Sequence, residues 1–383
     1  MPAAPFRVEE VKDARNLRRY IHLPERLPGQ RPNFVPPVWA DEHAFHDPRR
    51  NAVLNDCDTV RFLAWQGKQC TGRIMGLVHR NHNRIHGERT ARFYQLDTVD
   101  DPAVSAALIG AVEHWARSMG MQRIIGPFGL SDKDPQGAQV EGFEHPPVLA
   151  TPANPAFLPK HIEALGYGKV SDALAYKTTV PREMPALYRR ITDRLLCNGE
   201  YRVLPIASRK ALRPWVVPVL RLVNESYKGL LGFVPMDEAA MNKLAAQYMP
   251  VLDPGLVKVV VDRNAQAAAF VVGMPDMGEG LRKARGRLFP FGFIHVLGAM
   301  KRSRQLNLLL GAVRPDLQGH GLTCLLANAL LEEARRRGYA HFDSHLVLET
   351  NRLMRAELER LGGTVWKRYR VYGKDLWRSR AVR

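Results

Sequence analysis

The chain has 383 residues, 45% of them hydrophobic, enough for two domains that each bury a core. Its four cysteines, Cys57, Cys70, Cys197 and Cys324, form no Cys-x-x-Cys pair, which argues against a disulfide framework or a thiolate zinc site and for a reducing, cytoplasmic setting. The formal charge of +18 favours anionic partners, but no helix-turn-helix, zinc-finger or RNP-like pattern accompanies it, so nucleic acid is disfavoured against a membrane surface or a polyanionic cofactor. Met1 to Glu10 lacks a basic stretch followed by an apolar one, and eighteen apolar residues nowhere run together, so neither a standard signal nor a membrane span is expected.

In the first half, His79, His82 and His86 alternate with Arg80, Arg84 and Arg89, which reads as a solvated hairpin tip and not a metal site. The spacing of Ala107, Leu108, Ala111, Val112 and Trp115 predicts a helix over 105–120, and a strand follows near 122–125. Just before that helix stands Leu96-Asp-Thr-Val-Asp-Asp-Pro102, a turn with three carboxylates and no glycine. The Pro- and Gly-rich stretch Gly126–Pro147 is a plain surface loop or an acceptor-binding lid. A linker is expected around Thr178–Pro185.

In the second half, Leu281–Gln305 holds seven cations and no acid, arranged on both sides of the apolar run Leu288–Met300. Thirteen residues are too few to span a bilayer, but they suit an interfacial segment among anionic head groups; the plainer reading is a buried helix with solvated flanks. A strand over 306–313 then enters a loop with Gly319 and Gly321, and the loop opens onto an amphipathic helix over 323–338. Unpaired N–H groups and the helix dipole make such a turn an anion site, with glycines letting the anion approach. A strand over 340–348 follows. Asn154 with Ile162–Tyr167 is echoed by Asn351 with Leu358–Gly363, and Phe34-Val-Pro36 by Phe233-Val-Pro235, so one plan occurs twice.

Val313, Pro315, Gln318, Gly319 and Gly321 stand at the spacing of the pyrophosphate loop of the GNAT acyl-CoA N-acyltransferase superfamily, and the chain resembles a member, with Thr323 where the family prefers a small residue. The resemblance implies an α/β (α+β) fold of two tandem GNAT-like domains, each a mixed, mostly antiparallel sheet flanked by helices. Residues 1–180 would form a degenerate domain that does not bind CoA, because its acidic turn repels pyrophosphate; residues 181–383 would form the acyltransferase domain. Together with Gly286-Arg-Leu-Phe-Pro-Phe-Gly292 and Leu348-Glu-Thr-Asn-Arg352, the degenerate first copy is similar to the tandem group that includes the bacterial type of ceramide synthase.

That resemblance implies transfer of a fatty acyl group from acyl-CoA, without metal, to the amine of a sphingoid base, on the inner face of the membrane. Acetyl transfer to a small amine or protein lysine, and non-catalytic acyl-CoA or lipid binding, are the competing readings. The implied CoA-binding residues are Ala312, Val313, Gln318, Gly319, His320, Gly321, Leu322, Thr323 and Asn351. Glu349 is expected as general base, its pKa raised at the mouth of an apolar channel, with His345 as the alternative and helix capping as the plain reading of Glu349. The family's thiolate-protonating Tyr is replaced by Leu358, which leaves Tyr369 or Tyr372 for that step.

Overall fold

A computed structural model describes residues 6–27 and 33–377; the first five residues of the N-terminal stretch considered for a signal lie outside it. The first half contributes strands β1 (Phe6–Glu10), β2 (Cys57–Gln66), β3 (Gln69–His79), β4 (Thr90–Thr98), β5 (Arg123–Gly126), β6 (Ala138–Glu141) and β7 (Gly168–Thr179). The second contributes β8 (Tyr201–Val203), β9 (Val257–Asp262), β10 (Ala267–Pro275), β11 (Gln305–Val313), β12 (His341–Asp343), β13 (Val347–Leu348) and β14 (Thr364–Asp375). All fourteen join one sheet, ordered β1-β2-β3-β4-β5-β14-β7-β12-β11-β10-β9-β8, with β6 beside β14 and β13 beside β7.

The two halves exchange their last strands. β14 lies between β7 on one edge and β5 and β6, end to end, on the other, and β7 lies between β14 and the successive pair β12 and β13. At the centre β14 and β7 pair antiparallel, from Thr364 opposite Lys177 to Gly373 opposite Gly168. The expected boundary at residue 180 falls immediately after β7.

Only β4–β5 and β11–β12 are parallel pairs. Each is followed on its face by a helix that buries one apolar stripe, Pro102–Ser118 in the first half and Leu322–Arg336 in the second. Val104, Leu108 and Val112 pack on Ile74 and Phe93; Leu330, Leu331 and Ala334 pack on Leu306 and Phe342.

The strand expected over 340–348 is broken. β7 pairs Lys177 with Asp343 and Leu174 with Val347, so four steps on one strand oppose three on the other. The extra residue forms a bulge that turns His345 into the left-handed region at φ +57. The histidine-rich segment also differs from its reading as a solvated tip. Arg80–His86 is a short helix, His79 and His82 are buried, and burial lowers their pKa values to about 4 and about 3. Among the described residues no helix is long and apolar enough to cross a membrane.

Candidate active site

The chain turns from β11 into helix Leu322–Arg336 through Pro315–Leu317 and two glycines in the left-handed region, Gly319 at φ +82 and Gly321 at φ +88. Gly321 is the N-cap and no side chain caps the helix. The N–H groups of Gly319, Gly321, Leu322 and Thr323 therefore have no acceptor among the described residues, and they converge at the positive end of the helix. A Cβ at Gly321 would sit 2.6 Å from Ile191, whereas one at Gly319 would meet nothing within 4 Å. The turn is thus held tightly on one side and open on the other.

Beside this turn the sheet splays. β11 and β12 pair only through Gln305–Asn307 and His341–Asp343, while β11 stays paired with β10 as far as Val313. Leu308 to Val313 consequently border a wedge with no strand on the β12 side. Tyr227 and Ser226 cross one face of it, donating to the carbonyls of Gly311 (3.0 Å) and Val313 (3.2 Å).

His345 stands at the opposite lip, two residues beyond the last β12 pair. Its N–H donates to Asp343 at 2.6 Å, and its Nε2 lies 3.1 Å from the Leu149 carbonyl. A carbonyl can only accept, so this contact puts the ring proton on Nε2 and leaves Nδ1 with a free lone pair. Burial lowers the imidazole pKa, opposed by the charge of Asp343, so the ring is neutral at pH 7. Lys367, itself buried, donates to the Pro146 carbonyl at 2.9 Å. Two second-half side chains thereby clamp the end of the first-half segment 126–150 beside the wedge.

Turn, wedge and His345 all line one cavity of about 2190 Å³. That is more than twice the ~1,000 Å³ upper range of ordinary small-molecule pockets, enough for two ligands at once. One part is an apolar chamber walled by Leu220, Phe270, Met274, Leu281, Val296 and Leu309. The first-half carboxylates Glu42, Asp132 and Asp134 also line the cavity. Burial pushes the Asp134 carboxyl up to about 6 even though it accepts the Ser131 N–H at 2.9 Å.

No family model matches the chain. Bacterial ceramide synthase of Caulobacter vibrioides (strain NA1000 / CB15N) is 30% identical over 380 residues, 97% of this chain and 98% of that protein. Protein YghO of Escherichia coli (strain K12) is 31% identical over 372 residues, 94% of this chain and 93% of its own length. The chain belongs to the bacterial ceramide synthase family of tandem GNAT acyltransferases. Among solved structures, a tandem GNAT protein from the clavulanic acid biosynthesis pathway superposes with TM-score 0.55 at 14% identity, covering 98% of this chain and 100% of that one. A GCN5-related N-acetyltransferase from Sphaerobacter thermophilus gives 0.51 at 13% identity, with 98% of each chain covered. At those identities the likeness establishes the fold.

In this GNAT acyltransferase the nominated residues divide. Ala312, Val313, Gln318, Gly319, Gly321, Thr323, His345 and Asn351 line the cavity. His320 is exposed outside it, and the Leu322 side chain is buried in the core beneath the turn. Asn351 also caps the helix Arg352–Arg360, its Oδ1 accepting the Met354 N–H at 3.1 Å.

Glu349 departs from its expected environment. It is absent from the cavity wall and accepts from Lys169 at 2.6 Å and from the Asp172 N–H at 3.1 Å. These partners hold its carboxyl below the usual range, the reverse of the expected rise. Tyr372 departs further. Strand exchange carries it into the first-half core beside Phe93 and Tyr167, where its hydroxyl donates to Glu163 at 2.8 Å. Tyr369 is buried among Ala173, Ala175 and Trp366.

The sequence reading missed Tyr188. It rises from the helix Ala186–Cys197, lines the cavity, and donates to the Glu357 carboxylate, one residue before Leu358. A hydroxyl is thus supplied from another helix to the neighbourhood where the family's tyrosine is missing. No local motif signals it, because the contact joins positions 169 residues apart.

Proposed function

We propose that this N-acyltransferase moves a fatty acyl group from acyl-CoA to the amine of a sphingoid base, with residues 181–383 holding the CoA and residues 1–180 shaping the acceptor side without binding CoA. The observation that supports the reading is the single cavity whose wall holds the uncapped glycine turn, an apolar chamber and three first-half carboxylates. An acetyl donor and a small amine would leave most of that volume empty. The lipid substrates favour a cytoplasmic enzyme working at the inner face of the membrane.

Acyl-CoA supplies an activated thioester when bound. The open N–H groups of Gly319 to Thr323 hold its pyrophosphate, and Asn351 borders its pantetheine arm. N–H groups of Gly311 and Val313, on the edge of β11 away from β10, polarise the carbonyl. Glu42, Asp132 and Asp134 attract the acceptor as an ammonium ion into the cavity, where it releases one proton to water and becomes the neutral amine that attacks. Nδ1 of His345 removes the amine proton as the C–N bond forms and the C–S bond breaks. The Tyr188 hydroxyl, turning from Glu357, gives its one proton to the departing sulfur; burial raises its pKa, so it is protonated at neutral pH before that step.

The test is free-CoA release by the purified chain, given palmitoyl-CoA or acetyl-CoA with and without sphinganine, with mass spectrometry of the products. Sphinganine-dependent release from palmitoyl-CoA, with an N-acylated base as product, is the expected result. Turnover of acetyl-CoA with a small amine or lysine peptide, and none with sphinganine, would overturn the lipid reading. CoA binding without any turnover would mark a non-catalytic binder.

A further inference from the structure

Five of the fifteen exposed large hydrophobic side chains among the described residues lie within nine positions: Phe289 (83% exposed), Phe291 (69%), Phe293 (40%), Ile294 (55%) and Leu297 (58%). Every exposed phenylalanine is in this group. So dense an apolar patch on an otherwise strongly basic protein needs a partner that excludes water from it.

The patch has a defined geometry. On the helix Gly292–Arg302, Val296 and Ala299 are buried, Val296 against Met274, Met277 and Leu281. Phe293, Ile294, Leu297, Lys301 and Arg302 follow at positions 1, 2, 5, 9 and 10 of the outward stripe, so apolar side chains fill its start and cations its end. Long basic side chains at the rim of an apolar stripe can keep their charges at a polar surface while their stems lie along the stripe. Lys301, Arg302 and Arg304 are exposed and make no ion-pair contact among the described residues, the Arg302 charge acting on Glu279 only at longer range.

The segment is also braced from below. The Trp39 Nε1–H donates to the Arg285 carbonyl at 2.8 Å, the Trp39 N–H to the Gly286 carbonyl at 3.1 Å, and Arg287 pairs with Glu25 at 3.0 Å. A Cβ at Gly286 would come within 2.1 Å of the Pro37 carbonyl, so the contact tolerates only glycine. First-half residues therefore anchor the base of the segment at 285–287, immediately before the exposed aromatic end.

Phe289, Phe293 and Leu297 also line the cavity. We infer that the segment 288–304 is an interfacial docking element for an anionic bilayer, with its apolar stripe among the acyl chains, its cations at the head groups, and the cavity mouth opening into the lipid. The inference deepens the lipid-substrate reading and rests on it for its purpose, but not for its test. A water-insoluble amine and a fatty acyl chain would enter directly from the leaflet, and the chemistry recognised is a sheet of negatively charged head groups over hydrocarbon.

The test is flotation of the full chain, without substrates, on vesicles of phosphatidylglycerol and phosphatidylcholine in equal parts and on phosphatidylcholine alone. The anionic vesicles are expected to carry the protein at low salt, with binding weakening as salt rises. Phe291→Ser with Ile294→Ser, two positions outside the cavity wall, should lower the bound fraction at least 5-fold with unchanged Tm and CoA affinity. Lys301→Glu with Arg302→Glu should abolish the preference for anionic vesicles. Equal flotation of the Phe291/Ile294 variant and the parent chain, or no flotation of the parent, overturns the inference. So does a loss of self-association in that variant by sedimentation velocity, which would make the patch a contact between copies. Failure of sphinganine turnover would leave the flotation result standing, so the two readings fail separately.

Discussion

The chain contains the same strand-to-helix turn twice, and the two copies have opposite fates. In the first half the turn after β4 is closed. Asp101 caps the helix Pro102–Ser118 by accepting the Ala103 N–H at 2.9 Å, Asp97 is buried in a pair with Arg73 at 2.7 Å, and Asp100 faces His161 at 3.4 Å. In the second half the same place carries Gly319 and Gly321, and the helix start is uncapped. The wedges differ likewise. The Phe128 N–H donates to the Phe93 carbonyl at 2.8 Å and stitches β5 back to β4, with Arg92 stacked 4.7 Å over the Phe128 ring. In the corresponding second-half place His345 leaves the wedge open. Helix dipole and sheet splay come with the fold; a site arises only where the sequence leaves their polar groups unsatisfied.

The largest effect expected from breaking this contrast is at the open turn. Gly321→Asp brings a carboxylate to the anion site, a Cβ against Ile191 and a strained φ, and should weaken CoA binding about 1,000-fold, or ~4 kcal/mol. Calorimetric titration with CoA checks it, and an unchanged Kd would refute the site. Next, His345→Asn should lower kcat/KM about 100-fold while leaving CoA affinity intact. Because burial lowers the His345 pKa, the parent chain should lose kcat/KM only as pH falls below the ordinary imidazole value of about 6.5. The variant's profile should be flat there, and a surviving acid limb would assign the base elsewhere.

Asp101→Ala removes a helix cap from the closed turn and should cost about 1 kcal/mol of stability. Denaturant melts read that loss, and CoA stoichiometry should stay at one per chain; a second CoA bound would mean that capping alone kept the first turn closed. The smallest effect is expected at Glu349→Gln, with kcat within about 2-fold of the parent and a stability loss below about 1 kcal/mol, because the pair with Lys169 is partly exposed. Its folded carboxyl pKa is depressed, so the contribution of Glu349 is present above the unfolded value of about 4.3 and lost as pH falls through the folded one. A stability difference between parent and variant that grows towards acid would contradict that sign.

Much of the binding side was legible in the chain itself. Glycines at the turn, the apolar strand before it and the amphipathic helix after it are local patterns, and Leu322–Arg336 lies within about a residue or two of the expected helix at each end. The catalytic side was not legible in the same way. Tyr372 was drawn to the thiolate because it follows the site in sequence, yet β14 crosses into the first half. The sequence places Glu349 at the channel mouth, but Lys169, on the exchanged β7, holds its carboxylate.

What the sequence determined, then, is a repeated strand–turn–helix plan, one copy with a glycine turn and one with an acidic turn, and a basic apolar segment ahead of the second copy's strand. Each follows from periodicity, charge and glycine placement over ten to twenty neighbouring residues. Only the tertiary structure decided which half each terminal strand would complete, that a bulge opposite β7 would turn His345 towards the wedge, and that Leu149 would fix its tautomer. Strand pairing between segments as distant in sequence as Gly168–Lys177 and Thr364–Gly373 leaves no local trace, because an extended apolar segment satisfies its backbone equally well beside either partner.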